Sequence, residues 1–180
     1  YRNKAKINDD IYVSGNLGDS YLGLLVLKKK IKLNNFLSKY FANQYFMPNI
    51  KIKFADQLKK FANSSIDISD GLLTDLDKLI NNQKLSYKLN LKDIPISKNL
   101  KKVLKIKKLS KINFISRGDD YQVLFTVPQS KSGIIKTISS KLGVKITKIG
   151  IIQKKSLKSS IINKDNTVIT VKNKGYLHKF

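Results

Sequence analysis

The 180-residue chain has the length of one domain or slightly more, and its 41% hydrophobic content is enough for a core. It contains no Cys, which excludes disulfides, thiolate metal sites and a cysteine nucleophile, so a cytoplasmic location is the default expectation. The net charge is +24, but Arg2 and Arg117 are the only arginines, and codon bias towards Lys, Ile and Asn explains the charge more simply than a nucleic-acid partner. No apolar stretch approaches the roughly 20 residues that span a bilayer, so no membrane segment is predicted.

Apolar residues that recur every two positions predict strands, and those that recur every three or four positions predict helices. In chain order, the prediction is a strand over 11–14, helices over 20–30, 35–45 and 53–62, a strand over 65–69, a helix over 72–80, a strand over 87–91, a helix over 97–109, a strand over 121–127, a helix over 130–142, and strands over 147–152 and 167–171. Ile161 and Ile162 are a candidate partner strand. Some strands are joined through helices and others directly, which favours an α+β fold over a doubly wound sheet.

Local signals add detail to the first two helices. The segment Gly15–Gly18 predicts a tight turn into the first helix, and Asp19 or Ser20 is expected to cap that helix. The turn lacks the glycine spacing of a nucleotide-binding loop. The second helix is expected to bury a face made by Phe36, Leu37, Tyr40 and Phe41.

Five of the 12 acidic residues lie in or beside two short clusters, at Asp67, Asp70, Asp75, Asp119 and Asp120. Such a concentration of carboxylate oxygens in a basic chain indicates magnesium and phosphate chemistry. No side chain is assigned as a nucleophile or general base, and His178, the only histidine, is interpreted as structural. Tyr176 is either a packing anchor or a ring that stacks on a heteroaromatic substrate.

The first acidic cluster is Ile66–Leu72. Asp67 and Ser69 are expected to project from one face of a strand, and Asp70 follows at a helix N-terminus, where backbone N–H groups attract anions. Two carboxylates beside such a helix end can hold magnesium against phosphate oxygens. Asp70 can instead be a simple N-cap. A structural role is harder to find for Asp67, because an unpaired carboxylate buried in mid-strand is costly.

The second acidic cluster is Gly118–Tyr121. Asp119 and Asp120 either form an Asx-turn that leads into the next strand or act as ligands, and the residues alone leave both readings open. Tyr121 and Phe125 are expected to lie in the core rather than to contact a ligand.

Taken together, these motifs resemble the thiamine-monophosphate kinase family, in the superfamily of aminoimidazole ribonucleotide synthetase and selenophosphate synthetase. The resemblance covers nearly the whole chain, through residues 2–19, Ile66–Leu72 (IDISDGL), Arg117–Phe125 (RGDDYQVLF) and Gly175–Phe180 (GYLHKF). Its most specific part is the pair DISDGL and GDDY. The resemblance implies an α/β/α layered unit with a mixed sheet, like the C-terminal domain of aminoimidazole ribonucleotide synthetase.

The same resemblance implies ATP-dependent phosphorylation of thiamine monophosphate to thiamine diphosphate, by direct in-line transfer assisted by Mg²⁺. By position in the motifs, Arg2 and Ser69 are implied to bind ATP, Asp67 and Asp70 to bind magnesium, and Asp119 and Tyr176 to contact the thiamine substrate.

The chain departs from the family's motifs at four positions, which are Asn8, Arg117, Gln122 and Lys179. It also starts at Tyr1 rather than at Met. Family members carry an N-terminal α/β domain with further magnesium-binding aspartates. We therefore expect residues 1–180 to form a C-terminal ATP- and substrate-binding domain with little kinase activity alone, and the full-length protein to be a homodimer.

Two alternatives stay open at this point. One is a related enzyme of the superfamily that phosphorylates a different acceptor. The other is a non-catalytic basic module that binds nucleic acid, which the scarcity of Arg disfavours because Arg makes the bidentate contacts to phosphate and guanine. No specific nucleic-acid partner is therefore expected, although non-specific adhesion at low salt is.

Overall fold

The computed structural model describes residues 2–81, 83–171 and 175. Within these residues, one mixed sheet has the strand order β2-β4-β1-β5-β3-β6. Its strands are β1 (Asp10–Ser14), β2 (Ser64–Asp67), β3 (Leu85–Asn90), β4 (Val123–Val127), β5 (Ile146–Lys154) and β6 (Ser160–Ile162). Neighbouring strands are antiparallel except β3 and β6, which are parallel.

The helices connect these strands and cover the sheet. They are α1 (Asp19–Leu27), α2 (Asn35–Phe46), α3 (Ile52–Leu58), α4 (Leu72–Leu79), α5 (Lys98–Ile106), α6 (Ile112–Ile115) and α7 (Ser132–Leu142), with a 3₁₀ turn at Gln129–Lys131 before α7. The sequence did not predict α6, because four residues are too few to show a helical period. Among the described residues, no helix combines the length and the apolar character that a bilayer crossing requires.

The sheet is the middle layer of three. Ile11 and Val13 on β1 join the apolar cluster that contains α4, whereas Tyr12 between them joins the cluster that contains α3 and α7. On β4, Leu124 and Phe125 are divided between the same two clusters. Because successive side chains of a strand point to opposite faces, helices lie on both sides of the sheet. The expected α+β class and α/β/α layering are confirmed.

A third apolar cluster joins α1, α2, α5 and α6. It corrects one detail of the prediction for the second helix. Leu37 and Phe41 are buried as expected, but Phe36 is 72% exposed. Leu37 and Phe41 are four residues apart and share a face, whereas Phe36 is turned about 100° from Leu37 around the helix axis. The buried face is therefore narrower than predicted.

Most predicted elements are confirmed to within a few residues. In α4, the buried side chains are the four predicted leucines, Leu72, Leu73, Leu76 and Leu79, together with Asp75. Burying each leucine contributes about 1.5–3 kcal/mol.

The predicted strand over 167–171 is wrong. The segment forms an isolated antiparallel bridge between Val168 and Ile162, with backbone hydrogen bonds from the Asn163 N–H to the Thr167 carbonyl and from the Ile169 N–H to the Ile161 carbonyl, but no continuous strand. Asp165 accepts hydrogen bonds from the backbone N–H and the hydroxyl of Thr167, and Asn166 has a φ of 64°. This local turn reverses the chain between Ile162 and Val168.

Candidate functional site

The two acidic clusters meet at one end of the sheet. They follow β2 and precede β4, which pair in an antiparallel way, so the adjoining loops lie side by side. The Asp119 N–H donates to the Ser69 carbonyl at 3.0 Å, and the Tyr121 N–H donates to the Ile68 carbonyl at 2.9 Å. In return, the Ile68 N–H donates to the Gln122 carbonyl at 2.8 Å. Backbone pairing therefore brings together two motifs that are far apart in the sequence.

Two glycines allow the loops to approach this closely. A Cβ added to Gly118 would lie 1.8 Å from the Ser69 carbonyl oxygen. Gly71 has a φ of 123°, and a Cβ there would lie 2.4 Å from the Ser116 carbonyl oxygen. Any side chain at either position would push the two loops apart.

Asp75 organises the loop before α4. It is fully buried, and its Oδ2 accepts the backbone N–H groups of Ser69, Asp70 and Gly71 at 2.9, 2.8 and 3.1 Å. The suggestion that Asp70 is the N-cap is therefore wrong: Gly71 occupies the cap position, without a side-chain cap bond, and Asp75 satisfies the N–H groups of the loop. The reason is that a carboxylate in the first turns of a helix can fold back onto the preceding loop.

Asp70 and Asp119 lie close enough to influence one another. Asp70 forms an ion pair with Lys78, whose ammonium also contacts Asp75 Oδ1 at 3.2 Å. The pKa of Lys78 is raised, first by its hydrogen bond to Asp70. The pKa of the half-buried Asp119 is also raised, first by burial and then by the charge of Asp70. The site therefore holds negative charge that a cation would stabilise.

A cavity of about 430 Å³ opens at this junction. It is lined by Ser69, Asp70, Gly118, Asp119, Arg117, Tyr21, Leu24 and Tyr121. The Arg117 guanidinium lies 5.4 Å from the centre of the Tyr21 ring, in a cation–π contact. The volume falls in the usual range for small-molecule sites, and the residues in its walls carry three hydroxyls, two carboxylates and one guanidinium.

A second groove, of about 460 Å³, lies beside this cavity and is mainly apolar. Asp67 lines this groove and not the first cavity, and Tyr121 contributes to the walls of both. Two expectations are corrected here. Asp67 is the last residue of β2 and is exposed, so it carries no burial cost. Tyr121 is 39% exposed and is not a core residue, whereas Phe125 is fully buried as predicted.

Asp120 points into the protein, away from the pair of loops. It is buried and accepts the Gly18 N–H at 2.8 Å, so it supports the start of α1 rather than an Asx-turn. Burial is the main cause that raises its pKa well above the ordinary value. The predicted side-chain cap of α1 is wrong as well. Gly18 is the cap residue, the Asp19 carboxylate accepts from Ser97 and Tyr40, and the Ser20 hydroxyl donates to the Gln44 carbonyl.

The two remaining predicted site residues are not part of the described cavity. Arg2 is exposed, and neither the cavity nor the groove has it in its walls. Tyr176 lies outside the described residues. Its neighbour Gly175 is described and packs against the Asp70 carbonyl and the Thr74 side chain.

The described residues meet part of what a magnesium ion requires. Among residues 2–81, 83–171 and 175, no group of three or more acidic or histidine side chains converges on one point. Asp70 and Asp119 nevertheless line the same cavity, and magnesium is usually held by one or two carboxylates together with water and substrate phosphates. The Asp70 carboxylate beside this cavity fits such an ion and would hold it, and Asp67 in the adjacent groove is the second motif carboxylate.

The sequence reasoning missed two cations at this site. Lys78 is three residues after Asp75 and eight after Asp70, a spacing that places it on the helix face that carries Asp75. That spacing was a usable signal. Nothing in the sequence pattern indicated that Arg117 would stack on Tyr21, because this contact depends on the tertiary arrangement of α1 and the loop.

Comparison with solved structures defines the class of protein first. The chain matches the structure of AaThiL complexed with AMPPCP and TMP with a TM-score of 0.78 and 26% identity, over 99% of this chain and 53% of that one. The fold is that of the aminoimidazole ribonucleotide synthetase-like proteins, as the motifs implied.

Comparison with curated sequences is more specific, although no protein-family model matches the chain. The chain is 34% identical over 98% of its length to the thiamine-monophosphate kinase of Buchnera aphidicola from Acyrthosiphon pisum, and 30% identical over 98% to that of Escherichia coli K12. In both cases the match covers 54% of the relative. The chain is similar to thiamine-monophosphate kinases over nearly all of its own length, and it spans about half the length of the curated relatives it matches.

Proposed function

We propose that the chain is the ATP- and substrate-binding part of a kinase that converts thiamine monophosphate to thiamine diphosphate. The observation that carries this proposal is the cavity in which Ser69, Asp70 and Asp119 line one wall. Homology to thiamine-monophosphate kinases extends over 98% of the chain, and the similar AaThiL structure holds AMPPCP and TMP.

The proposed roles follow the motifs. Arg2 and Ser69 bind ATP, Asp67 and Asp70 hold magnesium, and Asp119 and Tyr176 contact the thiamine substrate. The cavity supports the roles of Ser69, Asp70 and Asp119, which share it. Asp67 lines the adjacent groove, so a ligand that reaches from one cavity to the other would contact both motif carboxylates, Asp67 and Asp70.

The proposed reaction is a direct in-line transfer. An oxygen of the thiamine monophosphate phosphate forms a bond to the γ-phosphorus of ATP, while the bond from that phosphorus to the β,γ-bridging oxygen breaks and ADP leaves. The attacking oxygen is already anionic, so no general base is needed. Magnesium, when bound, neutralises charge on the phosphate oxygens. The side chains bind and align the two phosphates, and Arg117 adds positive charge at the cavity wall.

The remaining parts of the proposal concern the whole protein. Because the chain spans 54% of its curated relatives, we propose that residues 1–180 are a C-terminal domain, and that further metal-binding aspartates lie in a separate N-terminal domain. Turnover by the chain alone is then low. The complete protein is proposed to be a cytoplasmic homodimer that uses ATP and Mg²⁺.

The experiment is a binding titration of the chain with thiamine monophosphate and with AMPPCP by isothermal calorimetry, in the presence of Mg²⁺. We expect Asp119→Asn to weaken thiamine monophosphate binding about tenfold, because a hydrogen bond to a charged group contributes about 1.5–3 kcal/mol. Asp165→Asn, at an exposed turn, is the control and should bind like the unmodified chain. If the chain binds neither thiamine monophosphate nor AMPPCP, the proposal is refuted.

Two further measurements test separate parts of the proposed function. Turnover is followed as thiamine diphosphate formed by the chain and by a complete thiamine-monophosphate kinase in parallel. A comparable rate would contradict only the proposal that the chain is a partial enzyme. A panel of other phosphate monoesters tests the alternative acceptor, and tighter binding of another member than of thiamine monophosphate would favour that alternative.

A further inference from the structure

Lys78 is a cation in direct contact with the first acidic motif. It lies on α4, and its ammonium bridges the Asp70 and Asp75 carboxylates. The two acids differ in how they are used. Asp75 is committed to the loop, because its Oδ2 accepts three backbone N–H groups. Asp70 lines the cavity, so its carboxylate is the one that faces a ligand.

The exposure of the three side chains shows which of them can move. The Asp75 side chain is 1% exposed and the Asp70 side chain 11%, whereas the Lys78 side chain is 39% exposed. A lysine ammonium on a flexible stem can return to water without disturbing the core, whereas the buried carboxylates cannot. Lys78 is therefore the displaceable member of the cluster.

Like charges meet at this junction. Asp70 and Asp119 line the same cavity, so their two carboxylates repel one another and favour a cation beside them. With Lys78 in place, part of this repulsion is neutralised. A divalent cation held by Asp70 would neutralise it more fully, and it would draw on the same Asp70 carboxylate as Lys78.

We infer that Lys78 is an internal counter-ion that holds the Ser69–Gly71 loop in its binding conformation before a divalent cation arrives and that lowers the affinity of Asp70 for that cation. This inference rests on the proposed magnesium role of Asp70. Lys78 is a positioning residue in this scheme: it acts through Asp70 and touches neither substrate. Removing its charge should thus weaken the loop and tighten metal binding at the same time.

The test uses Lys78→Met, which keeps the length of the side chain and removes the charge. Lys136→Met, at an exposed position of α7, is the matched control for the loss of one positive charge. Mn²⁺ binding is measured by the electron paramagnetic resonance signal of the unbound ion. We expect K78M to bind Mn²⁺ about tenfold more tightly than the unmodified chain, because an adjacent opposite charge shifts a carboxylate's affinity by at least that factor. K136M should change the affinity less than twofold.

Thermal unfolding supplies the second readout. Without metal, K78M should melt a few degrees below K136M, and saturating Mn²⁺ should remove most of this difference. Equal or weaker Mn²⁺ binding by K78M would show that the lysine only supports the fold, and would overturn the inference.

Asp70→Asn separates this inference from the function on which it rests. If Asp70→Asn weakens Mn²⁺ binding while K78M does not tighten it, the inference about Lys78 fails and the metal role of Asp70 stands. If Asp70→Asn leaves Mn²⁺ binding unchanged, or if no variant binds Mn²⁺, both fail. Tighter binding in K78M that Asp70→Asn abolishes in the double variant supports both.

Discussion

At two strand-to-helix junctions of this protein, a buried aspartate accepts backbone N–H groups at the start of the helix, but the acids around that aspartate differ. Between β1 and α1, the buried Asp120 accepts the Gly18 N–H at the start of the helix. Between β2 and α4, the buried Asp75 accepts the N–H groups of the Ser69–Gly71 loop. In both junctions a carboxylate satisfies backbone donors that would otherwise have no partner at a helix start.

The junctions differ in the acids that surround this buried carboxylate. At α1 the neighbouring Asp19 is itself buried and is held by Ser97 and Tyr40. At α4 the neighbouring Asp70 and Asp119 line an open cavity. The difference teaches that position in a motif does not decide the role of an aspartate here. Asp75 and Asp120 accept backbone N–H groups and Asp19 accepts from two side chains, whereas Asp70 and Asp119 line the cavity between the two motif loops.

The largest effect on stability is expected from Asp75→Ala. It leaves three backbone N–H groups without their acceptor and removes one of the two carboxylates that Lys78 contacts, and losing one partner of a buried charged cluster costs about 3–5 kcal/mol. Urea denaturation measures the free energy of unfolding. Asp56→Ala, at an exposed position of α3, is the control and should change that free energy by no more than about 0.5 kcal/mol. If the two substitutions changed the free energy of unfolding by similar amounts, the conclusion that the buried Asp75 stabilises the loop before α4 would be wrong.

Gly118→Ala should have the next largest effect, about 3 kcal/mol, because its Cβ would lie 1.8 Å from the Ser69 carbonyl oxygen. The two motif loops would separate, so binding of thiamine monophosphate should fall together with stability. Gly133→Ala is the matched control. It lies in α7 with nothing within 4 Å of the added Cβ, and should stabilise the chain by up to about 1 kcal/mol. Urea denaturation and calorimetry of both variants would show whether stability and thiamine monophosphate binding require the close approach of the two loop backbones.

Asp120→Asn should have a smaller effect that depends on pH. The fold raises the pKa of Asp120 above its ordinary value of 3.8, mainly by burial, so the folded chain binds this proton more tightly than the unfolded chain. The stabilising contribution of the protonated Asp120 is therefore complete below about pH 3.8, and it is lost as the pH rises through the raised pKa of Asp120.

Asparagine cannot titrate, and its amide group replaces one acceptor oxygen. We expect Asp120→Asn to lower the free energy of unfolding by about 1 kcal/mol at pH 5 and by less at pH 8. Urea denaturation of both proteins at the two pH values measures this difference. A cost that grows with pH would mean that Asp120 is stabilised as the carboxylate, contrary to its burial.

The smallest effect on stability is expected from Asp67→Asn. Asp67 is exposed at the end of β2, and surface substitutions usually change the free energy of unfolding by no more than about 0.5 kcal/mol. If Asp67 has the proposed magnesium role, Mn²⁺ binding in the presence of AMPPCP should nevertheless weaken. A large loss of stability would place Asp67 with the structural acids instead.

The order of the elements and much of the core were predictable from the sequence. The leucines of α4 recur at helical spacing, and the strand residues of β4 form the clearest apolar run of the chain. These features depend on local periodicity, which a sequence displays directly. The segment predicted as a strand over 167–171 pairs with β6 only through an isolated bridge, and the extent of such pairing is a tertiary property that local periodicity does not display.

The candidate site was predictable only in part. The motifs indicated Ser69, Asp70 and Asp119, and the structure brings these three residues to one cavity. Alternation along a strand also suggested that Asp67 and Ser69 share a face, but β2 ends at Asp67 and the two residues line different cavities. Where a strand ends depends on its partner, which is β4 here.

The strand order has a consequence for the speed with which the chain reaches its native form. Strand β1 is at the centre of the sheet, and its Asp10 pairs with Val127 on one side and with Ile151 on the other. A ribosome produces β1 long before either neighbour, so this apolar segment has to wait for most of the chain to be synthesised. Closing such distant pairs is entropically slow, and the waiting strand is a natural target for chaperones.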